Sequence, residues 1–167
     1  MRRHPTEAAV GGLLLLTLAI AACTGSAPGS SVLGADFRAK AVAVCEHALA
    51  LKHAQGAFPF PDFNPTKPDI ARFPAVAQFL ALTDATFTTW DTEMVAIGQP
   101  PTGSAVWADV VAAVHRHREI NADQIVAATT GDATRFSNDY EAGTKTQAAM
   151  LNAATAAGVP ECAKVDR

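Results

Sequence analysis

Between Asp36 and Gln55 the apolar residues Phe37, Ala41, Val44, Ala48 and Leu51 recur at alternating steps of four and three, with Arg38, Lys40, Glu46 and His47 on the other face. Side chains three and four apart share one face of a 3.6-residue turn, so this pattern predicts an amphipathic helix, ended by Gly56. A second helix is predicted from Pro74, whose missing N–H suits a first turn, to Ile97. Its stripe is Val76, Leu80, Thr83, Phe87, Trp90, Met94 and Ile97, and Gly98 with Pro100 and Pro101 stops it. A third starts at Ser104 as N-cap and turns Trp107, Val111, Val114, Ile125 and Ala128 to one side until Gly131, with an unusually polar middle. The fourth starts at Asp132 as N-cap and presents Phe136, Tyr140, Gly143, Gln147, Met150 or Leu151, and Ala154. Gly158-Val159-Pro160 closes it. The β-branched residues follow helical and not two-residue periodicity, so no strand is expected. Residues 35–167 are predicted to form an all-α domain, an antiparallel four-helix bundle running up-down-up-down.

Ahead of that domain the pattern changes. Arg2, Arg3 and His4 precede an apolar stretch from Ala8 to Ala22, dominated by Leu13 to Leu16 and too short for a permanent span, which reads as a secretory signal over residues 1–22. Its end, Ile20-Ala21-Ala22-Cys23, resembles the bacterial lipobox: an aliphatic residue, two small residues, then the cysteine that receives a diacylglyceryl thioether before cleavage. The resemblance implies a mature protein that begins at a lipidated Cys23, anchored to the extracytoplasmic face of the cell membrane. The other reading is an ordinary signal cut at an Ala-x-Ala-like site with Cys23 incidental. Thr24 to Ser31 (Thr-Gly-Ser-Ala-Pro-Gly-Ser-Ser) is small and polar, so residues 23–34 are read as the anchor and a flexible tether.

Export changes the reading of the remaining cysteines. With Cys23 taken by lipid, Cys45 and Cys162 are left, and an even pair in an oxidising compartment is most simply a disulfide. An up-down-up-down bundle brings the start of the first helix near the end of the fourth, which supports the bond. Cys45 lies well inside helix one, however, so the segment after Gly158 has to turn back along the bundle. Two free thiols in a metal or redox site would be the alternative, but no Cys-x-x-Cys or ligand cluster accompanies them.

At 49% hydrophobic and 17% charged, the chain has the composition of a single globular domain. Without residues 1–22 it carries 11 Lys and Arg against 15 Asp and Glu, a net charge of −4. Such an acidic balance gives no footprint for nucleic acid, whose binders cluster Lys and Arg.

Candidate chemistry is sparse. Gly56 to Asp69 interleaves Pro59, Pro61, Pro65 and Pro68 with Phe58, Phe60 and Phe63. Either the phenylalanines lid the open end of the bundle or they form a contact surface for a partner or lipid. No nucleophile elbow, phosphate loop or His-Glu-x-x-His is present, so the chain is expected to be no enzyme and to carry no metal or cofactor. In His115-Arg116-His117-Arg118-Glu119, His115 and Glu119 share a helix face while His117 points the other way. This is a solvated patch unless His47 or His53 joins it as a ligand. Thr83, Asn121 and Gln147 lie on or beside the expected seams and either fix helix register or line a small cavity. Tyr140 is expected in the core with its hydroxyl at the rim.

A lipobox cysteine, a Ser/Gly/Pro tether, an Ala-rich helical domain, an early Cys45 and a terminal Gly158-Val159-Pro160-Glu161-Cys162 together resemble the small cell-envelope lipoproteins of actinobacteria, mycobacteria especially. The resemblance spans the chain and implies a place and an architecture without a substrate or catalytic residues. Two functions are compatible: a non-enzymatic binding or scaffolding module for another envelope component, or a carrier of a small ligand or lipid in a cavity between the helices.

Overall fold

The structure, a computed structural model, describes residues 32–165, so Cys23 and the signal segment lie outside the described residues. Four helices make up the described chain: α1 (Ala35–Gln55), α2 (Phe73–Ala96), α3 (Ser104–Thr130) and α4 (Ala133–Ala157), with 3-10 turns at Ile70–Arg72 and Cys162–Lys164 and no strand among the described residues. Each helix packs on the next, α1 on α2, α2 on α3 and α3 on α4, as in a bundle.

The boundaries follow local chemistry. Asp132 caps α4 by accepting a hydrogen bond from the Arg135 amide at 2.9 Å, which satisfies one of the donors a helix start leaves open. Replacing it, Asp132→Ala, is expected to cost about 1 kcal/mol in chemical denaturation. Ser104, expected as the cap of α3, is instead its first residue, behind Gly103 at φ 73°. That left-handed position suits glycine, and a Cβ there would lie 2.8 Å from the Val32 carbonyl oxygen. Val32 is held at this point because the Thr102 hydroxyl donates to its carbonyl at 3.2 Å. Leu33 is 1% exposed. The packed domain therefore begins before residue 35, inside the span assigned to the tether, because Leu33 is apolar enough to fill the core beside Phe37.

The seam of α1 also differs from expectation. Phe37, Ala41, Cys45 and Ala48 are buried, whereas Val44 and Leu51 are only half-buried. Cysteine ranks among the most buried residue types, and here it occupies the seam in place of its valine neighbour. It is bonded to Cys162, with the Cα atoms 4.8 Å apart. The tail after α4 does turn back, in three steps along α1. Arg38 Nε donates to the Gly158 carbonyl at 2.7 Å, Cys45 binds Cys162, and Lys52 Nζ donates to the Val165 carbonyl at 2.7 Å. The α1 partners are spaced by seven residues, two helical turns each, so one stripe of the helix holds the whole tail.

Two separate apolar clusters form the core. The larger joins Phe37, Ala41, Cys45 and Ala48 of α1 to Phe87, Trp90 and Met94 of α2, Trp107, Val110 and Val114 of α3, and Met150, Ala154 and Ala157 of α4, with the tail's Val159 and Val165. The smaller joins Phe73 and Val76 of α2, Ala127 and Ala128 of α3, and Phe136 of α4. Along α3 and α4 the residues between the clusters are largely polar, with Thr83, Asp84 and Thr86 of α2 beside them, and this waist holds the candidate site.

Candidate functional site

The Phe58–Phe63 loop covers the smaller cluster. Phe58, Phe60 and Phe63 are each half-buried and pack against Phe73, Val76 and Phe136 and their neighbours. The ring of Phe58 meets Phe60, Phe63 and Phe79 edge-on at 5.8, 5.7 and 5.1 Å, and Phe63 meets Phe136 at 5.8 Å. Arg72 braces the loop, with its guanidinium 2.7 and 2.9 Å from the two Asp62 oxygens and 5.3 Å from the Phe60 ring centroid. The same guanidinium holds the Asp62 carboxyl below its usual range, so this brace is present at neutral pH and is lost as acid protonates Asp62. Of the two readings of the loop, the geometry is that of a packed lid.

The polar residues of the waist divide into two groups. One fixes register. The Gln55 amide of α1 donates to the Thr83 hydroxyl at 2.6 Å and the Phe79 carbonyl at 3.2 Å. Asn121, 3% exposed, donates to the Leu80 carbonyl at 3.2 Å and to Asp84 at 3.3 Å. Nearby, Asp91 is buried and takes Arg118 at 3.0 Å and His115 Nδ1 at 3.3 Å, and His115 Nε2 lies 3.5 Å from Glu119. His47 is engaged elsewhere, 2.9 Å from Glu93. Among the described residues no group of three or more His, Cys, Asp or Glu side chains is placed to hold a metal ion.

The second group lines a cleft of about 250 Å³ between α3 and α4. His117, Ile120 and Gln124 come from α3, and Tyr140, Gly143, Thr144 and Gln147 from α4. On α3 these positions lie between Val114 of the larger cluster and Ala127 of the smaller. On α4 they lie between Phe136 and Met150. His117 points away from the His115 cluster, with its ring 4.6 Å from Phe87. Tyr140 is 41% exposed, a cleft wall and not the core residue expected. The Thr144 hydroxyl donates to the Tyr140 carbonyl at 3.1 Å. Among the described residues no Asp, Glu, Lys or Arg lines this cleft. Asp139, beside Tyr140 in sequence, is not among its walls; burial and the nearby Asp123 push its carboxyl up.

Gly143 and Gln147 were visible in sequence as non-apolar members of the α4 seam, whereas Gln124 and Thr144 carried no signal of their own. They became cleft residues only through the pairing of α3 with α4. No helix among the described residues is long and apolar enough to cross a membrane. Comparison with family models found no match, and comparisons with curated proteins and with solved structures found none either.

Proposed function

We propose that the chain is a non-enzymatic binding module of the actinobacterial envelope-lipoprotein kind, anchored through Cys23 at the extracytoplasmic face of the cell membrane, and that the α3–α4 cleft takes a small polar ligand. The observation that carries this reading is Gly143. It lies inside α4, where glycine costs about 0.5–1 kcal/mol relative to alanine. Its backbone is not left-handed, and a Cβ would meet nothing closer than Ile120 Cγ2 at 3.7 Å, an ordinary contact. Neither backbone geometry nor close packing calls for glycine, so its effect is to keep the cleft floor open.

The lining favours a compact polar molecule over an acyl chain, which would leave the Gln124 amide and Tyr140 hydroxyl without partners. Scaffolding through the Phe loop has less support, since those rings are spent on one another.

Gly143→Ala is expected to stabilise the chain by about 0.5–1 kcal/mol while narrowing the cleft and weakening binding, and Gly143→Leu fills the cleft. Thermal shifts of the full chain in detergent micelles, against a panel of small polar compounds, read the difference. If no compound shifts the wild type, or if those that do shift Gly143→Leu equally, the cleft is not the site.

A further inference from the structure

We infer that the ligand of the α3–α4 cleft is a neutral, hydroxyl-rich ring, a single sugar unit; the inference rests on the cleft being a binding site at all. Its first support is charge. A carboxylate or phosphate ligand is best held by Arg or Lys and an ammonium ligand by Asp or Glu, and among the described residues none of these lines the cleft, where His117 is the one basic side chain. The second is hydrogen-bonding character. The Gln124 amide and the Tyr140 hydroxyl each both donate and accept, and neither is bonded to another protein group among the described residues. Thr144 has committed its proton to the Tyr140 carbonyl, so it offers the cleft its lone pairs. A lining that mixes donors and acceptors matches a ligand whose own groups do both, which is the character of a hydroxyl.

The third support is shape. The Tyr140 ring, 41% exposed, provides apolar surface for the C–H face of a saturated ring, while the polar groups meet its edge. A volume of about 250 Å³ falls below the range of drug-sized pockets and suits one ring in preference to a chain of them. Such a unit would be presented by a glycan or glycolipid as readily as by a free sugar.

Saturation-transfer NMR on the full chain in micelles tests this, with neutral aldohexoses and their methyl glycosides as probes. The corresponding uronate and amino sugar, and neutral acetylated amino-acid amides, serve as contrasts. The neutral sugars are expected to bind and the charged counterparts to bind more weakly. Tyr140→Ala is expected to weaken the neutral sugars about five- to tenfold, and Tyr140→Phe by no more than about twofold. Gly143→Leu is expected to abolish binding, with the thermal midpoint of each variant confirming that it folds. If Tyr140→Ala does not fold, Tyr140→Phe and Gly143→Leu decide. Binding of amides or charged compounds in place of neutral sugars, still lost in Gly143→Leu, overturns the ligand class and leaves the cleft reading standing. Absence of binding by every class, or binding that Gly143→Leu leaves unchanged, overturns both.

Discussion

Loss of the Cys45–Cys162 bond, in the double variant Cys45→Ala/Cys162→Ala, is expected to destabilise the domain by about 4–5 kcal/mol. The bond closes a loop with a sequence separation of 117, and the chain-entropy cost of such a loop in the unfolded state grows with the logarithm of its length. Both cysteines are fully buried, so the alanines leave no polar group stranded. Against a typical total of about 5–15 kcal/mol, the loss takes roughly a quarter or more of the stability of a domain this size. Urea unfolding of wild type and variant, compared through midpoint and slope, gives the difference directly. A loss below about 1 kcal/mol would mean that the Arg38 and Lys52 hydrogen bonds and the buried Val159 and Val165 seat the tail without the covalent link.

Phe58→Ala carries the next largest effect, about 2–3 kcal/mol. Full truncation of a buried phenylalanine costs about 3–5 kcal/mol, and Phe58 is half-buried. It contacts three other rings, so its removal opens a gap that Phe60, Phe63 and Phe79 have to close at the expense of their own edge contacts. The same urea titration measures it. A change under about 0.5 kcal/mol would contradict the lid and return the loop to its other reading, a surface held for a partner.

The helices were legible because each is bracketed by residues with a fixed stereochemical meaning: Gly56, Pro74, Gly98, Gly131, Asp132 and Gly158 all lie at or within a residue or two of an observed end. Periodicity told less about which apolar residue of a pair faces inward. Val44 and Cys45 are adjacent, and only the packing of α1 against the returning tail puts Cys45 in the seam. The tether boundary failed at Leu33 for a related reason, since one apolar residue after a polar run carries no period to read. Gly103 was missed as the turn residue of α3 because its need arises from Val32, distant in sequence.

Of the site, the sequence showed an uneven seam, with Thr83, Asn121, Gly143 and Gln147 where apolar residues were due. The pattern could not separate the residues that bridge helices from those that face a cleft, because that depends on what stands opposite. Thr83 and Asn121 find partners on α1 and α2 and hold register. Gly143 faces Ile120, whose Cγ2 a Cβ there would meet at 3.7 Å, and finds no polar partner to bridge to.

Tyr140 is the single tyrosine of the chain, so its ring gives one isolated set of NMR signals at the cleft wall. Titrating the labelled full chain with neutral aldohexoses and their methyl glycosides tests the cleft most directly. A saturable shift of the Tyr140 ring signals in the wild type that is lost in Gly143→Leu is the expected result; ring signals that stay fixed, or that move equally in both, would contradict a binding site between α3 and α4.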